Sequence, residues 1–151
     1  MPIMSESSHK SDRLPDQAAT ESFAVELAAS LDSGSVVALT GPLGAGKTTL
    51  VKAVARALGV EEEVTSPSFV RLNVYAGRYP VYHLDLYRVK DRAEFIAFGL
   101  DEWLDTDGVT LIEWADRVAE LLPAHSITVA LDYDEEGEGR IVTVTDGPPG
   151  S

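Results

Sequence analysis

Residues 41–48 read Gly41-Pro42-Leu43-Gly44-Ala45-Gly46-Lys47-Thr48, a complete G-x-x-x-x-G-K-[ST] phosphate loop. Such a loop needs a strand to deliver it and a helix to leave from it, and both are written on either side. Val36 to Leu39 is a short apolar, β-rich run, as expected of a buried strand. Lys47 to Leu58 is rich in Ala, Leu and Val, and Gly59 stands where a helix C-cap glycine belongs. The glycines let the backbone curl so that successive N–H groups face one anion, and the helix adds its positive N-terminal end. Lys47 is placed to reach the β- and γ-phosphates as a point charge, and the Thr48 hydroxyl to join a magnesium shell.

The rest of the chain alternates helix and strand. Phe23, Leu27 and Leu31 recur every four residues beside Ala24 and Ala28, with Asp16 as a plausible N-cap. Val70, Leu72 and Val74, then Val81, Tyr82 and Leu84 across a turn near Ala76-Gly77-Arg78, read as a β-hairpin. Asp91 to Gly99 reads as a short helix, Val109 to Ile112 as a second buried strand, and Ala115 to Leu122 as a helix stopped by Pro123. Ser126 to Leu131 and Ile141 to Thr145 are strands around an acidic loop, Asp134 to Gly139. The expectation is a three-layer, P-loop NTPase-like α/β domain over 15–146. Its sheet is mostly parallel, flanked by helices, with an antiparallel hairpin portion. Residues 1–14 read as a disordered extension and 147–151 as a flexible tail, because neither carries an apolar period.

A loop of this kind needs a carboxylate at the end of a neighbouring strand to hold magnesium or its waters. Glu113 closes Val109-Thr110-Leu111-Ile112 and so sits at the carboxyl edge of the sheet, where open α/β folds place ligands. Asp85, in His83-Leu84-Asp85-Leu86-Tyr87-Arg88, is a second candidate, for a magnesium-bound or attacking water. Strand alternation puts His83 on the same face as Asp85, as a packed or a catalytic histidine. Thr65-Ser66-Pro67-Ser68-Phe69 is either a γ-phosphate-sensing segment or a plain connection. Trp103 and Trp114 read as packing residues, and the acidic runs Glu61–Glu63 and Asp132–Glu138 as solvated surface.

Composition narrows the function classes. The chain of 151 residues contains no cysteine, which excludes disulfides, thiolate zinc and iron–sulfur clusters. A net charge of -13 argues against direct grasp of DNA or RNA, which needs clustered Lys and Arg. No stretch approaches the ~18–20 apolar residues of a membrane span, and the Ser-rich start has no secretory apolar core. A cytoplasmic setting is the expectation. An N-K-x-D guanine signature is missing, so adenine is favoured over guanine. A small-molecule kinase is the alternative; it wants an Arg-rich lid, and Arg88 and Arg92 are the best candidates for one.

Four segments, G-P-L-G-A-G-K-T-T, T-S-P-S-F, H-L-D-L-Y-R and L-I-E-W, in this order and spacing, closely resemble the TsaE (YjeE) family, as does Phe98 to Leu104. Ser68 stands where many relatives have Thr. The resemblance covers roughly residues 14 to 145. It implies an ATPase, weak alone and stimulated by partners, that supports threonylcarbamoyladenosine formation at position 37 of tRNAs reading ANN codons. It also implies that the transferase TsaD and its partner TsaB are the assembly partners, that TsaD performs the transfer, and that tRNA is met only through them. By the same resemblance Gly44, Ala45, Gly46, Lys47, Thr48 and Thr49 hold the phosphates of ATP, and Thr48 and Glu113 hold Mg2+. Asp85 matches an acidic residue required for activity, and Asp16 and Arg140 help enclose the nucleotide. Lys47, Asp85 and Glu113 are therefore the expected catalytic set.

Overall fold

The computed structural model describes residues 9–64, 72–137 and 139–150. Its seven strands are β1 (His9–Leu14), β2 (Val36–Thr40), β3 (Leu72–Ala76), β4 (Pro80–Asp85), β5 (Val109–Glu113), β6 (Ile127–Tyr133) and β7 (Arg140–Asp146). Its α-helices are α1 (Gln17–Ala29), α2 (Lys47–Ala57) and α3 (Arg92–Ala97), with 3₁₀ helices at Leu100–Leu104 and Ala115–Leu121. The strands form one sheet in the order β1-β7-β6-β2-β5-β4-β3. The four central strands, β6, β2, β5 and β4, are mutually parallel, and antiparallel strands complete both flanks.

The central strands are mostly apolar because both faces of the sheet are covered. On one face Phe23 and Leu27 of α1 and Leu50 and Val54 of α2 pack against Val37, Leu39 and Val129. On the other, Phe95 of α3 and Ala115 and Val118 of the second 3₁₀ helix bury Leu84, Ile112 and Ala38. Burying a side chain of Leu or Phe size is worth roughly 1.5–3 kcal/mol each, so these two layers fix the sheet on which the loops ride. Asp16 caps α1 by accepting from the Ala19 amide at 2.9 Å. Asp91 caps α3 in the same way, through the Glu94 amide.

One expectation about the ends is corrected. Residues 9–14 are not an unstructured extension: they form edge strand β1, antiparallel to β7 along its whole length. The strand is polar because an edge needs backbone pairing and one buried anchor rather than an apolar run; here the anchor is Leu14, which joins the core. The tail is likewise tied at its start. The Gly147 amide donates to the Ser126 carbonyl at 2.7 Å, and the Gly147 carbonyl accepts from the Thr128 hydroxyl at 2.7 Å. Residues 1–8, Thr65 to Phe69, Val70, Glu138 and Ser151 lie outside the described residues, so the readings made for them rest on sequence alone. Among the described residues no helix is long and apolar enough to cross a membrane.

Candidate functional site

Strands β4, β2 and β5 all point the same way and end at one edge of the sheet. Register puts Asp85, the last residue of β4, directly opposite Glu113, the last residue of β5, and puts Glu113 opposite Leu39 of β2. The glycine loop leaves β2 one residue later, so both carboxylates border it.

The loop ends at Gly46, whose φ of +100° caps α2 in a backbone region that a Cβ would strain. From there Lys47 turns inward and is only 4% exposed. Its Nζ donates to the Gly41 carbonyl at 2.7 Å and the Pro42 carbonyl at 2.8 Å, and sits 3.9 Å over the Trp114 ring. Burial lowers its pKa below the ordinary lysine value, against the opposing pull of Glu113, Asp116 and Asp85. Its ammonium is held by two carbonyls and an aromatic face, a setting for a fixed positive charge behind an anion.

Glu113 is buried, at 3% exposure, rather than lying on the surface of the strand end. The Thr48 hydroxyl donates to both of its oxygens, at 2.9 and 3.1 Å, and His83 Nε2 lies 2.7 Å from Oε2. Asp85 is half-buried and accepts from the Tyr87 amide at 3.0 Å. Burial raises its pKa above the usual carboxylate value; the Tyr87 amide offsets this, the Glu113 charge adds to it, and His83 and Lys47 oppose it.

Two hollows meet at this loop. One, of about 390 Å³, is lined by Gly44, Lys47, Thr48, Asp85, Glu113 and Trp114, among others. The other, of about 210 Å³, is bordered by Asp16, Thr20, Ala45, Leu131, Gly139 and Arg140, among others. Gly46 and Thr49 belong to both. The structure thus gathers Lys47, Thr48, Asp85 and Glu113 on one side of the loop and Asp16 and Arg140 on the other, with Gly44 and Ala45 between. The Asp16 carboxylate caps α1, and the Arg140 guanidinium donates to the Gly44 and Ala45 carbonyls.

Sequence reasoning did not identify three side chains at this edge. Trp114 adopts φ +60°, rare for a non-glycine residue, which brings its indole under Lys47 and beside the Tyr87 ring at 5.3 Å. Arg117 lies 5.1 Å from the Trp114 ring, and its Nη1 donates to the carbonyls of Leu86, Tyr87 and Val89, tying down the segment after β4. Tyr133 donates its hydroxyl to the Leu43 carbonyl at 2.6 Å. The sequence signal nearest to any of them was the position of Trp114 directly after Glu113.

A buried strand, a glycine loop ending in Lys-Thr, a helix continuing from it and a carboxylate closing the next parallel strand define a nucleotide-binding domain of the P-loop NTPase-like class. Within that class the chain belongs to the TsaE family: the family model described as threonylcarbamoyl adenosine biosynthesis protein TsaE matches residues 14–142. Among its relatives is the tRNA threonylcarbamoyladenosine biosynthesis protein TsaE of Treponema pallidum, 45% identical over 111 residues, covering 74% of this chain and 82% of the relative. The protein of the same name in Bacillus subtilis is 39% identical over 123 residues, covering 81% and 77%. The crystal structure of Bacillus subtilis YdiB superposes with a TM-score of 0.75 at 33% identity, over 92% of this chain and 86% of that one.

Proposed function

We propose that the chain binds Mg·ATP on the loop 41–48 and hydrolyses it, slowly alone and faster with TsaD- and TsaB-type partners. In this reading hydrolysis supports formation of the threonylcarbamoyl group on adenosine 37 of tRNAs reading ANN codons, and the transfer itself belongs to the TsaD-type partner. The observation that carries it is the contact of Thr48 with Glu113, made 2.9 Å apart beside a buried Lys47.

The donor set fits the group. Magnesium is held through one or two carboxylates and a hydroxyl while keeping waters and phosphate oxygens, and Thr48, Glu113 and Asp85 offer that much oxygen and no more. When bound, the ion neutralises charge on the phosphates as the terminal bond breaks. Lys47 presents positive charge from the opposite side, and its two carbonyl partners keep the ammonium from swinging away. Gly44 to Thr49 offer amides and the start of α2 to the phosphates. Asp85, across from Glu113, orients water in this reading, and the nucleoside end takes the hollow that Asp16 and Arg140 border. The net charge of -13 agrees with tRNA being met only through partners, and the setting proposed is the cytoplasm.

Phosphate release from ATP, measured with the purified chain alone and then with both partner types, tests the proposal. A slow basal rate that rises when the partners are added supports it. Absence of ATP-dependent release in both settings contradicts it.

A further inference from the structure

The loop that would cradle the phosphates is held from behind by the β6–β7 hairpin. Its carbonyls from Gly41 to Gly46 all accept from donors within the chain. Lys47 Nζ takes Gly41 and Pro42, and the Leu50 amide takes Gly46 at 2.9 Å. The three between them are taken by two residues far away in sequence. Tyr133 Oη donates to Leu43 at 2.6 Å; Arg140 Nη2 donates to Gly44 at 3.3 Å and Arg140 Nε to Ala45 at 3.1 Å.

Tyr133 and Arg140 are direct cross-strand partners at the mouth of the hairpin, and the guanidinium lies 4.8 Å from the tyrosine ring. Stack and hydrogen bonds make them one unit. Arg13 of β1 anchors it further by pairing with Asp134 and Glu136 in the connecting loop. Gly44 fits the arrangement: at φ +80°, a Cβ there would come within 2.8 Å of the Tyr133 oxygen.

A peptide unit whose carbonyl is pinned outward has its N–H turned the other way. We propose that Tyr133 and Arg140 together are positioning residues for the phosphate loop, holding three consecutive carbonyls away from the nucleotide so that the Gly44 and Gly46 amides face it before binding, while the Ala45 amide between them closes the turn on the Pro42 carbonyl at 3.1 Å. This rests on the nucleotide reading above and deepens it. Arg140 then acts through the backbone it holds, with Nε on Ala45 and Nη2 on Gly44 in the fixed plane of one guanidinium, a geometry distinct from the single ammonium by which Lys47 holds Gly41 and Pro42.

The test is equilibrium binding of Mg·ATP and Mg·ADP, with turnover at saturation, for the wild type, Tyr133→Phe, Arg140→Gln, Arg140→Lys and the double variant Tyr133→Phe/Arg140→Gln. Tyr133→Phe deletes one oxygen on a half-exposed ring and leaves the stack in place, so it folds. It is expected to weaken both nucleotides about fivefold, the size of one lost hydrogen bond, with turnover at saturation within about twofold of wild type. Arg140→Lys is expected to weaken binding as Arg140→Gln does, and the double variant to be less impaired than the product of the singles. A Tyr133→Phe protein that binds like wild type overturns the inference. So does restoration by Arg140→Lys, or strict additivity, since either would assign Arg140 a separate, direct contact. A wild-type chain that binds neither nucleotide overturns the nucleotide reading and this inference with it.

Discussion

His83 Nε2 lies 2.7 Å from Glu113 Oε2, so adjacent parallel strands join a fully buried imidazole to the buried carboxylate that also accepts from Thr48. The other ring nitrogen, Nδ1, is buried with no hydrogen-bond partner among the described residues. The tautomer with hydrogen on Nε2 satisfies this pair, donating to Glu113 and leaving only a bare lone pair on Nδ1. Histidine in this position orients the carboxylate toward Thr48 and the loop. His83→Leu is expected to raise the Mg2+ concentration needed for half-maximal ATP hydrolysis roughly tenfold, a typical loss when a partner behind a metal ligand is removed. His83→Gln, whose side-chain amide can still donate, is expected to recover part of it. An unchanged magnesium requirement in the folded His83→Leu protein would give His83 a packing role only.

Lys47 separates function from stability. Burial depresses its pKa in the folded chain, so its favourable contribution is present above the unfolded lysine pKa and lost as pH falls through the folded one. At neutral pH the buried ammonium therefore opposes folding, offset by its two carbonyl partners and Trp114. Lys47→Met is expected to melt within about 3 °C of wild type while losing nucleotide binding by roughly a hundredfold or more. Thermal melts paired with nucleotide titration check both; nucleotide binding that survives the change contradicts the site.

Asp85 gives the opposite sign. Burial raises its pKa, so its contribution to stability is present at low pH and lost as pH rises through the folded value. Above that value Asp85→Asn removes a partly desolvated charge and is expected to melt at or above the wild-type temperature, by up to about 3 °C. Its hydrolysis rate is expected to fall by about a hundredfold. In the wild type, the acid limb of the pH–rate profile is expected to lie above the ordinary aspartate range and to vanish in the variant. A profile with the same limb in Asp85→Asn assigns that limb to another group.

Deleting residues 1–14 tests β1. The deletion removes six register pairs with β7, the buried Leu14 and the Arg13 contacts to the hairpin loop. Loss of Leu14 burial alone is worth about 2 kcal/mol or more, so the melting temperature is expected to drop by at least about 4 °C. Deleting only residues 1–8 leaves β1 whole, and the two truncations compared in one melt decide whether the strand matters. Equal melting temperatures would make β1 dispensable.

Legibility in the sequence followed the physics of each element. Val36 to Thr40 and Val109 to Glu113 are apolar because both faces of the central sheet are covered, and this made the strands, the loop between them and the carboxylate readable in advance. The cap at Asp16 is a local device and is readable for that reason. Edge strand β1, His-Lys-Ser-Asp-Arg-Leu, carries no alternation, because pairing with β7 is backbone chemistry to which side chains contribute one anchor. The partners of Glu113 and of the Leu43, Gly44 and Ala45 carbonyls come from residues 30 to 96 positions away, and no local pattern announces such contacts. Alternation placed His83 on the same face as Asp85 but did not say which carboxylate it meets, and Tyr133 fell inside the acidic run Asp132–Glu138, read as solvated surface.

The central claim is that one nucleotide sits on the loop through a magnesium ion held by Thr48 and Glu113. Calorimetric titration of ATP into the full chain, with and without Mg2+, for the wild type and Glu113→Gln, tests it most directly. The account predicts one ATP per chain, tighter with the ion present, and a magnesium enhancement that Glu113→Gln abolishes while the protein stays folded. An enhancement of equal size in both proteins, or none in the wild type, would contradict it.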